Sequence, residues 1–330
     1  MKYFILGDIH SCYDAFLFSL KEAGYEKDNE NHCLILLGDI FDRGNGTIKI
    51  LNYIRSIPKE RRILIRGNHE YLLKHLLHKE YPESYDFANG TVRTCYDLYM
   101  HRHPRSKIRK ELINVFKLEF GVTNDESALF FLGDIYPKYF NIVASEYFCL
   151  PEVWNKITKD LLESDLIDWI FGDEWVDYYE LDKYIFVHSF IPFEKMVSTY
   201  FDDRYYPLPN WREIKDLGVW EQASWECPYI LFETGVFNIE KNQGKVLVCG
   251  HWHASDFHRH YKDILIDDEF KTLSDFAYIG ENLIELDACT ILSGFCNVMV
   301  IDDTDFSTQI YPDIKKQVII ETTTAKGIDR

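Results

Sequence analysis

Short apolar runs that end in a glycine and then a polar cluster recur along the chain. Three lie near the N-terminus: Tyr3 to Leu6 before Gly7-Asp8, Cys33 to Leu37 before Gly38-Asp39, and Ile63 to Ile65 before Gly67-Asn68. Their length predicts buried strands. Tyr13, Phe16, Leu17 and Leu20 stand between the first two runs at helical spacing, with Gly24 as a stop, and Ile48, Leu51 and Ile54 repeat that period between the second pair. The order β-α-β-α-β implies an α/β fold with a mainly parallel sheet, whose strands deliver the polar clusters to one edge.

From Glu70 to about Lys183 the pattern turns helical, with Leu72, Leu73, Leu76 and Leu77, then Leu112, Val115 and Phe116, then Val153, Trp154, Ile157 and Leu161. Residues 76–183 therefore read as a mostly helical insertion. Strands are predicted again at Tyr184 to Val187, Val246 to Cys249, Leu283 to Leu286 and Asn297 to Ile301. Pro192 to Pro228, rich in Tyr, Trp and Pro, reads as a long, partly irregular loop near the site. Its aromatic stretch from Tyr200 to Trp225 reads as packing first and as substrate contact second. The last nine residues read as a loose tail, and residues 1–330 as one domain carrying the insertion.

Hydrophobic residues make up 46% of the chain and aromatics 16%, which provides a packed interior and excludes a disordered chain. Asp and Glu number 54 against 36 Lys and Arg, for a formal charge of −18, which weighs against nucleic acid and anionic membrane as partners. Against that background Arg102, Arg105, Lys107, Arg109 and Lys110 form a basic cluster, read as a solvated helix start rather than a docking patch. The eight cysteines never stand as CxxC, which fits a reducing compartment. Neither a signal-peptide core nor an apolar run of the ~18 residues a membrane span needs is present, so the expected location is cytoplasmic.

The polar clusters after the strands are Asp8-Ile9-His10, Asp39-Ile40-Phe41-Asp42-Arg43, Asn68-His69-Glu70, His188 and His251-Trp252-His253. Carboxylates mixed with imidazoles suit Mn, Fe or Zn ions rather than calcium or a thiolate-bound zinc. The ligand count fits two metal ions. Asp8 and His10 can point at one, Asn68, His188 and His251 at the other, and Asp39 has the two oxygens needed to bridge them. A metal pair that activates water beside a phosphoryl group is the logic of two-metal phosphatases, with metal-bound hydroxide as nucleophile. His69 could face the leaving-group oxygen and donate a proton, with Asp42 keeping that imidazole charged. Arg43 offers a planar fork for phosphate oxygens. Glu70 reads as a tie for its loop.

On these residues the sequence resembles the calcineurin-like metallophosphoesterases. Gly38-Asp39-Ile40-Phe41-Asp42-Arg43-Gly44 and Gly67-Asn68-His69-Glu70 look like the branch holding protein Ser/Thr phosphatases and diadenosine tetraphosphatases. The resemblance implies a four-layer α/β/β/α sandwich of two mixed sheets. It also implies Asp8, His10, Asp39, Asn68, His188 and His251 as metal ligands, His69 and Asp42 as the acid pair, and Arg43 as catalytic phosphate clamp. His253, in a His-x-His pair, resembles the wider superfamily, where such a histidine reaches the first metal. The second phosphate-gripping arginine common in the branch is missing, since Arg204 and Arg212 have no convincing local match.

The expected activity is hydrolysis of phosphomonoesters, on a phosphorylated protein or a small phosphorylated metabolite. Two alternatives stand beside it: a dinucleoside polyphosphate hydrolase, and a catalytically silent binding or scaffold protein with the same fold.

Overall fold

The computed structural model describes residues 1–125, 127, 137–196, 204–262, 275–305 and 307–312. Two mixed sheets dominate it. The first has the order β13-β12-β1-β2-β3-β4, from β1 (Lys2–Leu6), β2 (His32–Leu36), β3 (Arg62–Ile65), β4 (Trp175–Val176), β12 (Val298–Asp302) and β13 (Thr308–Tyr311). Strands β1 to β4 run parallel, and β12 is antiparallel to both of its neighbours. The second sheet has the order β10-β11-β9-β6-β5, from β5 (Tyr178–Glu180), β6 (Tyr184–Val187), β9 (Val246–Cys249), β10 (Tyr278–Ile279) and β11 (Leu283–Glu285), with β6, β9 and β11 parallel.

Alternation along the strands sorts the core into layers, because successive side chains leave a strand on opposite faces. Ile5, Ile35, Phe186, Val248 and Met299 meet between the two sheets. Phe4, Leu6, Leu34 and Leu36 face the other way, onto α1 (Tyr13–Glu22), α2 (Thr47–Arg55) and the inserted helices. Ile185, Val187, Leu247 and Cys249 face a second helical layer that includes Leu217–Trp225 and Ala254–Tyr261. The result is the four-layer α/β/β/α sandwich. Both faces of each sheet are covered, which is why the strands read as continuous apolar runs.

The insertion is helical over α4 (Ser84–Ala88), α5 (Thr91–Arg102), α6 (Lys107–Phe120), Pro137–Phe148, Pro151–Leu162 and Asp165–Phe171. Its Phe87, Val92, Leu112, Phe116, Trp154 and Leu161 join the same apolar cluster as Phe16 and Leu51, so it is packed into the core. Its predicted end at 183 is too late, because β4 and β5 already belong to the two sheets. Strands of two and three residues carry too little alternation to announce themselves. The stretch 192–228 is also more regular than expected. It holds a hairpin of β7 (Phe193–Met196) and β8 (Arg204–Pro207), then helix Leu217–Trp225. Tyr200 and the predicted C-terminal tail lie outside the described residues.

The loop after β2 passes so close to the loop after β3 that only glycine fits at its apex. Gly38 has φ +101°, and a Cβ there would lie 2.6 Å from Gly67 N and 2.8 Å from His188 Nδ1. Gly38→Ala is expected to destabilise the fold by about 2 kcal/mol or more, combining left-handed strain with the clash. Urea unfolding checks this; a change below ~0.5 kcal/mol, the range of an ordinary surface substitution, would contradict it.

Candidate active site

The parallel strands of both sheets end at one place, and the turns that follow them are strained. His10, Asp39, Asp42, Arg43 and His251 all have positive φ, between 48° and 76°. Non-glycine residues hold such conformations only where surrounding contacts dictate them. Ile9 and His10 donate their backbone N–H groups to the Asp39 carbonyl at 3.2 and 2.9 Å. Buried Glu70, on α3 (Asn68–Leu76), accepts from Asp39 N, Ile40 N and Gly67 N at 3.0, 3.1 and 2.8 Å, tying the turns after β2 and β3 together. Burial and the nearby Asp39 push its carboxyl up to about 8.

Asp39 lies at the centre. Its Oδ1 accepts from His69 N at 2.9 Å and stands 3.4 Å from His188 Nε2, while Oδ2 is 3.8 Å from both His10 Nε2 and His69 Nε2. Asp8 flanks His10, with Oδ2 3.7 Å from Nε2, and its Oδ1 accepts from His251 N at 3.0 Å. Burial, then Asp287 and Asp39, push the Asp8 carboxyl well above the usual carboxylate range. For Asp39 burial acts the same way, but the imidazoles of His188, His69, His10 and His251 outweigh it and hold the carboxyl low.

The imidazoles show what the arrangement fits. His10 Nδ1 lies 3.1 Å from Phe41 O, His188 Nδ1 2.8 Å from Leu37 O, and His251 Nε2 3.1 Å from Trp225 O. A carbonyl only accepts, so each of these nitrogens carries the ring proton. Burial keeps all three rings neutral, His251 at about 3. The other nitrogen of each ring is therefore a lone pair. That of His188 faces Asn68 Oδ1 at 2.8 Å and Asp39 Oδ1 at 3.4 Å. Electron-pair donors converging with no proton between them fit a metal ion, and carbonyl-anchored imidazoles are the usual form of histidine ligand. Among the described residues two groups close enough to hold a metal ion share Asp39, namely Asp39 with His188 and His251, and Asp39 with His10 and His69, the last of which is held by Asp42 instead of a carbonyl.

His69 Nδ1 also donates, to Asp42 Oδ2 at 2.7 Å, and its Nε2 is 3.3 Å from Arg43 Nη2. Burial favours the neutral ring, but Asp39 and Asp42 outweigh it and raise the imidazole pKa. His253 stands apart from both groups: its side chain is 38% exposed, with Nε2 3.9 Å from Asp287 Oδ2. Asp287 and Glu285, both buried behind Asp8, were not read as site residues. Nor were Thr91 and Thr94, which donate to Asp42 at 2.7 and 2.6 Å. Arg212 is committed elsewhere, to Glu180 at 2.6 Å.

Two face-to-face mixed sheets with donor groups gathered around one carboxylate at their edge fit a metal-dependent phosphoesterase. The chain belongs to the calcineurin-like phosphoesterase family, whose model matches residues 1–255. The family is a di-metal class of phosphoric ester hydrolases acting on phosphorylated substrates. Symmetrical bis(5'-nucleosyl)-tetraphosphatases from Hamiltonella defensa and Salmonella paratyphi B are 35% and 34% identical to the chain over 70 residues. These matches cover 21% of the chain and 24% of each relative. A solved structure of a protein serine/threonine phosphatase from Saccharomyces cerevisiae matches 95% of the chain and 82% of its own at 13% identity, with a TM-score of 0.41. No helix among the described residues is long and apolar enough to cross a membrane.

Metal analysis of the manganese-loaded protein is expected to find about two ions per chain, as in other two-metal hydrolases. Asp39→Asn should lose most of both and His188→Ala about one. Wild-type metal content in the Asp39→Asn protein would overturn the shared-ligand arrangement.

Proposed function

We propose that the chain hydrolyses phosphomonoesters, with a phosphorylated protein or a small phosphorylated metabolite as substrate. The observation that carries this reading is the meeting of Arg43 and His69 beside Asp39, a phosphate fork and a proton donor on one side of the metal-ligand set. Asp8, His10 and Asp39 would hold one ion and Asn68, His188, His251 and Asp39 the other, with Mn, Fe or Zn suited to such mixed ligands. His253 would act from outside this set, on Asp287. Bound there, the ions supply activation of water and neutralisation of phosphoryl charge.

The side chains supply the remainder. The Arg43 guanidinium donates to two non-bridging oxygens of the phosphoryl group, which are better acceptors than the imidazole it touches in the free protein. Released from Arg43, Nε2 of His69 takes up a proton from solvent, which Asp39 and Asp42 favour, and faces the ester oxygen as its donor. As the bond from the water oxygen to phosphorus forms and the phosphorus–ester bond breaks, the Nε2 proton passes to the leaving oxygen. Water's proton restores the imidazolium, so alcohol and inorganic phosphate are the products. Asp42 stays bonded to Nδ1–H throughout and stabilises the charged ring. In this reading residues 1–330 form one catalytic domain, and the eight unpaired cysteines fit the cytoplasm.

A second reading, hydrolysis of dinucleoside polyphosphates, draws support from the printed activity of the curated relatives and from Trp225. That ring is 37% exposed and 6.2 Å from His251, so a nucleobase could stack on it.

His69→Ala and Asp39→Asn are expected to lower kcat on 4-nitrophenyl phosphate by ~10²–10⁴ with the fold intact. Near wild-type turnover in metal-loaded variants would sink the proposal. Rates on a phosphopeptide and on diadenosine tetraphosphate separate the two substrates: preference for the latter, lost in Trp225→Ala, would favour the second reading.

A further inference from the structure

The inserted helices reach the acid pair through two hydroxyl groups. Helix α5 starts at Thr91, and a Cβ on its cap residue Gly90 would lie 2.9 Å from Arg43 Cα, so the insertion's backbone rests directly on the Asp42-Arg43 turn. Thr91 Oγ1 donates to Asp42 Oδ2 at 2.7 Å. Thr94 Oγ1 donates to Asp42 Oδ1 at 2.6 Å and accepts from Asp42 N at 3.1 Å. Because that hydroxyl already accepts the backbone proton, its own proton is committed to the carboxylate. With His69 Nδ1 on Oδ2, three donors converge on one buried carboxylate. Both threonines are buried, and Asp42 and Arg43 stand at φ +70° and +56°. A turn in that conformation stays put only if tertiary contacts over-determine it.

We propose that Thr91 and Thr94 are positioning residues for the proton donor, through which the helical insertion becomes part of the catalytic apparatus. The proposal rests on the reading of His69 as general acid. Hydroxyls on both oxygens fix the plane of the carboxylate. A fixed carboxylate in turn fixes the His69 ring and aims Nε2 at the leaving oxygen. Both threonines act through Asp42, to which their hydroxyls are bonded.

The test is the dependence of kcat on the leaving group across aryl phosphates, from 2,4-dinitrophenyl phosphate, whose leaving group needs no proton, to phenyl phosphate, whose leaving group does. Thr91→Val and Thr94→Val are expected to lower kcat on phenyl phosphate by ~10–100-fold, part of the ~10²–10⁴ available to general acid catalysis. The loss on 2,4-dinitrophenyl phosphate should stay within about threefold, with KM little changed, so that the plot of log kcat against leaving-group pKa steepens. Thr94→Ser, which keeps the hydroxyl, should return the wild-type slope. Thr91→Val alone leaves the Thr94 bridge intact, so it is the variant to use if Thr94→Val does not fold. Equal losses on all esters, or an unchanged slope, would overturn the proposal. A wild-type slope already as steep as that of His69→Ala would overturn the general-acid reading instead.

Discussion

A crowd of buried carboxyl groups is the constraint around which this molecule is organised. Asp8, Asp39, Asp42, Glu70, Glu285 and Asp287 are all 3% exposed or less, and they crowd the edge where the two sheets meet. An ionised carboxylate removed from water is costly unless hydrogen bonds or opposite charge compensate it. Each group finds a different solution. Asp42 takes two hydroxyls and an imidazole N–H, and Glu70 takes three backbone N–H groups. Glu285 accepts from Asp287 N at 2.8 Å and from the Cys249 thiol at 3.1 Å. Asp8 and Asp39 each accept one backbone N–H, from His251 and His69, and turn their remaining oxygens toward the imidazole of His10, where a cation fits.

That requirement explains the strained turns. To place Asp39 between His10 and His188, which come from different sheets, the chain after β2 must reverse within two residues and pass over the loop after β3. Gly38 allows the reversal, while positive φ at Asp39, Asp42 and Arg43 spends backbone energy of about 1–3 kcal/mol per residue. The offset is close at hand. Glu70 anchors one end of the turn, and α5 of the insertion anchors the other through Thr91, Thr94 and Gly90. Strain, buried charge and inserted helices are thus one problem with one solution.

The residues that converge around Asp39 stand out in the sequence because their types are expensive in the positions they hold. An Asp or His at the end of a buried apolar run has little structural reason to be there, and a series of such residues in order leaves few chemical meanings. The sheets were readable for a related reason, since strands covered on both faces are continuous apolar runs. What escaped notice lacks this contrast. Thr91 and Thr94 are ordinary helical residues, and nothing in their spelling connects them with a carboxylate 49 and 52 positions earlier. Strands β4 and β5 are too short to show a period. Glu285 and Asp287 sit in an apolar run where a carboxylate signals burial only after its partners are known.

The same charge logic bears on what can enter the site. A formal charge of −18 repels polyanions at long range, but several of the carboxylates counted in it are buried at the metal-ligand set, where two divalent cations would cancel four negative charges. With those charges cancelled, Arg43 is, among the described residues, the arginine whose contacts place it beside His69. Arg66 is held by Asp177 at 2.9 Å and Arg212 by Glu180. One guanidinium fork holds two oxygens of a single phosphoryl group but cannot grip a second one along a chain. Discrimination among substrates must then come from the apolar and aromatic surface beyond the phosphoryl group, where Trp225 lies against His251. On the proposed reading the metal edge sets the reaction, and the aromatic surface around Trp225 is where substrates would be told apart.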